Sequence, residues 1–403
     1  MEMDWFPSGE GRTLPLAAVL GFLAFLVITA SLGCYQYLWV FPADTTGLPL
    51  WIVIVGADLL LHRGFPAFSQ ARILLWCAGL LLFTARQGVP FVGVALIFGA
   101  AALWVAETGR HRYFPFAATA LALLLALGHF AVVPHLLASF FLFRMVSWLV
   151  AVRKRGARPD FQSTMEYFLA PAFWLSPMHA APLLFDRLRA PLDALKRDCG
   201  IAWIARGFLH AAVFSLLARY ALPNLDALFH AGASAFRWWQ WMAAGPVIAF
   251  AAYLEISSVS YVAAGALSLG GHHVEPDFNA PWAARGLPDF WARFHYWLHD
   301  YYMEIIYKPL VERARPNVAL FLTFVIGTFA LLWAQFSVHA SMALVLALLV
   351  GGLTLLHSLA GRVLSAPRVG IPGTWISVLL LCLIAYPACS LDWGVGELLD
   401  FFR

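Results

Sequence analysis

The residue types able to do chemistry in this chain gather between positions 255 and 339. Glu255 lies in the apolar stretch 237–270, within Tyr253-Leu254-Glu255-Ile256-Ser257-Ser258. An ionisable group at membrane depth is costly, so Glu255 reads either as a hydrogen-bonding contact between helices or as the lining of a substrate passage. Ser257, with Ser258 and Ser260, carries the same two readings. His339 stands at the junction of two apolar segments with no acid near it in sequence. A neutral, partly desolvated imidazole is a competent general base, although a lone histidine on an apolar face is more often structural.

Two further groups invite a metal reading. His272, His273, Glu275 and Asp277 fall within six residues, all of ligating types. The run is short and proline-broken, and no metal is expected there. His295 and His299 are four residues apart and share a helix face, a spacing the wet side of an interfacial helix explains without an ion. No phosphate-binding GxxxxGK[ST] loop, GxSxG nucleophile elbow or HExxH zinc motif is present. The five cysteines form no CxxC pair. Elimination leaves group transfer within the membrane, or transport.

The elements that must position these residues are membrane helices. Of the 403 residues 62% are hydrophobic and only 12% charged, about half the ~25% typical of soluble domains. With 33 Phe, 17 Trp and 12 Tyr the chain is not disordered, and a net charge of +4 without a basic block speaks against nucleic acid. The apolar runs are continuous rather than alternating, which favours helices over a barrel. Runs long enough or nearly long enough to span lie at 14–40, 48–61, 73–84, 89–106, 116–133, 135–152, 199–222, 237–270, 317–336, 338–360 and 373–391. The expectation is an all-α, multi-pass protein of about 11 transmembrane helices. Pro171, Pro177 and Pro182 break the apolar stretch 161–185 into a re-entrant segment. With the N-terminus cytoplasmic, the inside segments hold 19 of the 26 basic residues, the positive-inside pattern of a cell inner or plasma membrane protein.

Residues 288–308, PDFWARFHYWLHDYYMEIIYK, differ in kind, with eight aromatics interleaved with Arg293, His295, His299, Asp300, Glu304 and Lys308. Asp289–Arg293 and Glu304–Lys308 are i,i+4 pairs with the acid leading, which predicts a helix lying along the bilayer surface.

From Tyr253 to Leu310 the chain resembles the membrane-bound O-acyltransferase family, in its bacterial branch of alginate O-acetylation and teichoic-acid D-alanylation proteins. The resemblance rests on YLEISSVSYVAAG ending at Gly265, DFNAPW around Asn279 and Pro281, DFWARFH from Asp289 to His295, and Pro309-Leu310. Ser176–Pro182 is similar to the family's proline-rich segment. The likeness spans roughly 165–340. It implies one membrane domain over 1–403: divergent helices in 1–160, a motif-bearing core in 161–340 and C-terminal helices in 341–403, around a central channel.

The resemblance implies acyl transfer from a thioester donor to a hydroxyl acceptor, with Asn279 and His339 as its two signature positions. Glu255, Ser257, Trp291, Arg293 and His295 would border the substrate channel. No bound cofactor is implied. The co-substrate would be an acyl-CoA or acyl-carrier-protein thioester, and the partners the lipid bilayer, a cytoplasmic donor or carrier protein and an extracytoplasmic acyltransferase partner. A transporter or flippase, or an inactive partner of an acylation system, remains the alternative, since His339 lacks the family's Trp-His-Gly context.

Overall fold

The computed structural model describes residues 47–64, 69–86, 90–109, 141, 143–148, 150, 160–171, 174, 194–232, 237–269, 274–335, 339–364, 370–391 and 393–402. Among them every regular element is helical. The elements are α1 (Gly47–Gly64), α2 (Ser69–Arg86), α3 (Pro90–Gly109), α4 (Phe161–Leu169), α5 (Ala194–Tyr220), α6 (Leu222–Ala231), α7 (Trp238–Leu269), a 3-10 turn (Pro281–Ala283), α8 (Leu287–Phe294), α9 (Tyr296–Tyr301), a π-helical turn (Tyr302–Tyr307), α10 (Lys308–Val311), α11 (Pro316–Gln335), α12 (Ala340–Leu364), α13 (Gly370–Ser390) and α14 (Val395–Phe402).

Four stretches are long and apolar enough to cross a membrane among the described residues: Cys199–Ala231, Met242–Leu269, Pro316–Trp333 and Ala340–Leu359. Gln70–Ala85 and Thr374–Pro387 are apolar but shorter. The expected spans 14–40 and 116–133, much of 135–152, and most of the re-entrant stretch 161–185 lie outside the described residues.

The chain divides into two compact units. The first comprises Met1–Ala212 and Ser257–Pro276. Here α1, α2, α3 and α4 pack on one another. Arg72 on α2 is buried and donates through Nε to Asp58 Oδ1 on α1 at 2.9 Å, while Nη2 lies 3.5 Å from Glu166 on α4. The same Asp58 oxygen accepts from the indole of Trp76, itself fully buried beneath the guanidinium. A buried charge persists only when paired, and this pairing ties three helices together.

The second unit comprises Val213–Ile256 and Asp277–Arg403. The antiparallel pair α11 and α12 forms its most extensive contact, with α13 against α12 and the short α8 against both α12 and α13. α8 buries Leu287 and Phe290 against Ala284 and Val378. Pro288 sits where a missing N–H costs nothing, and Asp289 in the first turn accepts from the Arg285 N–H and from Arg293 Nε. Thus the Asp289–Arg293 pair forms as its spacing requires, and so does Glu304–Lys308.

The single helix expected over 288–308 is corrected by the structure. The backbone leaves the helical region at His295 (φ −142°, ψ 71°), which separates α8 from α9, and α9 runs directly into the π-helical turn. The cause is a contact distant in sequence, described next.

Candidate functional site

The interruption at His295 exposes the last carbonyls of α8 and the first N–H groups of α9, and both need partners once buried. The segment 277–279 supplies them. The Asn279 N–H donates to the Arg293 carbonyl at 2.8 Å, closing the end of α8. The Asp277 carbonyl accepts from the Tyr296 N–H at 3.0 Å, and its carboxylate Oδ1 accepts from the Trp297 N–H at 2.6 Å. Asp277 therefore caps α9 from outside, where a negative charge meets the positive end of the helix dipole. The chain pays for this threading locally, for Ala280 takes a left-handed conformation (φ 44°, ψ 60°) just before Pro281, unfavourable for a residue with a Cβ.

The second carboxylate oxygen makes the chemical feature. Asp277 Oδ2 lies 2.8 Å from His295 Nδ1, with Asp277 fully buried and His295 nearly so. A carboxylate accepting from Nδ1–H fixes the ring's orientation and tautomer and leaves Nε2 with its lone pair, the arrangement that makes an imidazole a directed base. Phe278 and Phe294 pack around the ring at 5.3 and 5.0 Å and limit its rotation.

His295 also lines a cavity of about 210 Å³ within the second unit. Trp291, His299 and Tyr302 share its wall with apolar side chains of α11, α12 and α13, among them Phe324, Leu331, Leu346, Val350, Leu381 and Ala385. Burial holds the His299 imidazole well below its ordinary value, at about 4, and pushes the Tyr301 and Tyr302 hydroxyls up. At neutral pH His299 is therefore uncharged. Trp291 keeps its indole N–H buried without an acceptor among the described residues. The Tyr302 ring fits its place because residue 327 is glycine: a Cβ there would lie 2.5 Å from the ring.

Of the residues singled out by sequence, Trp291 and His295 meet at this cavity, and neither Asn279 nor His339 lines it. Asn279 is half-buried and uses its backbone in the helix junction. His339 is exposed immediately before α12, where its carbonyl accepts from the Ala343 N–H. The polypeptide itself does not shield that imidazole as the sequence reading expected, because His339 stands at the very end of the packed α11–α12 pair rather than along its contact face; any desolvation comes from the surrounding medium. Arg293 is engaged with Asp289. Glu255 is half-buried midway along α7.

Ser257 belongs to the first unit and accepts or donates at 2.7 Å to His210 Nδ1 on α5. Close helix approach makes this contact possible: a Cβ at Gly207 would meet the Ser258 carbonyl at 2.6 Å, and one at Gly265 the Gly200 carbonyl at 2.5 Å. Arg206 lies over the Tyr261 ring one turn away.

Sequence reasoning missed Asp277 as the partner of His295 and His210 as the partner of Ser257. The first pair is 18 residues apart and the second 47, so no helical spacing links either. The aspartate was visible only in the acidic and histidine cluster of 272–277, of which His272 and His273 lie outside the described residues, and as the first residue of DFNAPW, neither of which points to His295. Among the described residues no group of three His, Cys, Asp or Glu is gathered closely enough to hold a metal ion. No family model matches the chain, and no curated protein matches it either.

Proposed function

We propose that this chain is a multi-pass O-acyltransferase of a cell inner or plasma membrane, with about 11 transmembrane helices around a central channel. It moves an acyl group from a thioester to a hydroxyl of a cell-envelope polymer, lipid or small metabolite. The observation that carries this reading is the buried Asp277–His295 pair at the wall of an apolar cavity. Acyl transfer needs a base to take the hydroxyl proton and an apolar place for the thioester, and an oriented imidazole beside an apolar cavity supports that reading.

In the proposed step the acceptor oxygen attacks the thioester carbonyl carbon while an imidazole takes its proton. The tetrahedral intermediate then collapses, the C–S bond breaks, and the departing thiolate recovers the proton. The products are an ester and a thiol. His339 and Asn279 enter through the family resemblance, as base and as a group that orients a reactant or donates to the oxyanion. The geometry adds His295, oriented by Asp277, as a second imidazole. The donor, a coenzyme A or carrier-protein thioester, approaches from the cytoplasmic side, and an extracytoplasmic partner passes the acyl group onward.

Purified protein given a radiolabelled acyl thioester and a panel of hydroxyl acceptors tests the reading. Wild type forms labelled ester. His295→Gln and His339→Ala each lower the rate at least ~100-fold, as expected on removing a general base, while the thermal melt stays close to wild type. A His339→Ala protein as fast as wild type would remove His339 from the mechanism. Flux of the acceptor across the membrane without covalent transfer would replace the acyltransferase by a transporter.

A further inference from the structure

The contact between α5 and α7 in the first unit carries a charged group that the proposed reaction does not use. Arg206 lies within Cys199–Ala231, a stretch long and apolar enough to cross a membrane. Its place in that stretch is about 10 Å along the helix axis from Cys199. Its side chain is exposed nonetheless. Among the described residues no carboxylate pairs with the guanidinium and no hydrogen bond engages it; what it meets is the Tyr261 ring, whose centre lies 4.7 Å away.

That ring is held in place from beneath. Tyr261 is buried, and His210, one turn beyond Arg206, meets it edge to face at 5.4 Å and 85°. His210 is itself held 2.7 Å from Ser257 Oγ. Gly207 brings α5 so near α7 that a Cβ would lie 2.6 Å from the Ser258 carbonyl. Arg206 adjoins that glycine, so its side chain lies across the neighbouring helix. Contact with a ring uses none of the guanidinium N–H groups, which stay available at the protein surface.

A cation within a membrane span needs a partner. The partner here must be anionic, must offer paired oxygens to the guanidinium fork, and must reach the outer surface of a spanning helix. A phospholipid phosphate meets all three conditions. Its two unbridged oxygens accept a bidentate pair, and headgroups move inward by local thinning of the bilayer to meet an intramembrane arginine. A soluble anion would have to enter hydrocarbon to reach the same place.

We propose that Arg206, supported by Tyr261, is a binding site for the phosphate of an anionic phospholipid on the surface of α5 and α7. The site stands apart from acyl transfer and requires only that the chain lies in a bilayer. His210 and Ser257 are positioning residues that hold the tyrosine. A phosphatidylcholine headgroup binds less well, because its ammonium brings a like charge toward the guanidinium.

The test uses the full chain in phosphatidylcholine nanodiscs containing a low fraction of phosphatidylglycerol with a diazirine on its headgroup. Mass spectrometry locates the photoadduct. The expected label falls on α5 within 199–212 or on α7 within 257–265, and unlabelled phosphatidylglycerol competes it away. Arg206→Gln lowers labelling roughly 10- to 100-fold, the loss expected for a hydrogen bond to a charged group. Arg206→Lys keeps the charge without the planar fork and falls between glutamine and wild type. Tyr261→Leu removes the support and lowers labelling about threefold or more. Dioleoylglycerol, which has tails but no phosphate, competes at least ~10-fold less well than phosphatidylglycerol. Thermal melts identify any variant that has not folded, and competition on the wild-type protein then decides.

Undiminished labelling of a folded Arg206→Gln protein, or adducts confined to other helices, overturns the proposal. Equal competition by dioleoylglycerol overturns it as well, since the tails alone would then be recognised. Inorganic phosphate that removes the label as effectively as phosphatidylglycerol would make this a site for a soluble anion and remove the lipid.

Discussion

His295 and His210 each bring a ring nitrogen within 2.8 Å of an oxygen, yet their surroundings differ in every respect that matters to chemistry. The partner of His295 is a fully buried carboxylate that also caps a helix, and the ring borders a cavity. The partner of His210 is a serine hydroxyl held in a contact where glycines let two helices approach closely. The first arrangement holds an imidazole in one orientation beside an apolar space. The second joins α5 to α7, as small residues and hydroxyls do between membrane helices. Distance alone would rank the two histidines as equals; the carboxylate and the cavity separate them.

The largest effect expected from breaking this comparison is at Asp277. Asp277→Ala removes the acceptor for both His295 and the Trp297 N–H, and leaving two buried donors unsatisfied costs about 1–3 kcal/mol each. Asp277→Asn keeps one oxygen for the N–H and costs roughly 1–2 kcal/mol. Thermal melts followed by circular dichroism in detergent would measure both. If alanine melted like wild type, the carboxylate would not be what holds the helix junction.

Acidification gives the next effect, through His299. Its folded-state value of about 4 lies below the ordinary histidine range, so the unfolded chain binds the proton more readily. The stability this group contributes is therefore complete above about pH 6.5, falls as the pH drops toward 4, and changes no further below that. The whole change is on the order of 3 kcal/mol. His299→Gln should flatten the melting temperature between pH 6.5 and 4.5 relative to wild type; parallel curves would place the acid sensitivity elsewhere.

Smaller effects belong to the His210 contact. Gly207→Ala drives a Cβ toward the Ser258 carbonyl and costs roughly 1–3 kcal/mol by overpacking. Ser257→Ala removes one hydrogen bond and costs about 1 kcal/mol. If the serine change were the more damaging, the hydroxyl rather than the close approach would dominate this contact. Equilibrium unfolding in denaturant would order the two.

Much of the architecture was legible from residue order because its signals are local. The apolar runs 199–222, 237–270, 317–336 and 338–360 each correspond to helical sequence long enough to cross a membrane, since hydropathy and length need no partner to be read. The Asp289–Arg293 and Glu304–Lys308 pairs follow from helical spacing in the same way. The site was less legible. Trp291 and His295 stood out by type within an aromatic segment, but nothing in that segment says that the helix breaks at His295.

The sequence by itself determined the helical class, the apolar spans and the residue types available for chemistry, because these depend on composition and on neighbours within one or two turns. Only the tertiary structure decided which histidine is held by a carboxylate, because Asp277 reaches His295 across 18 residues of chain that include a left-handed Ala280 and two helix ends. It also decided that the wall around His295 is apolar, since that wall is assembled from α11, α12 and α13 as well as α8 and α9. Such a surface exists in no single segment, and so no segment could announce it.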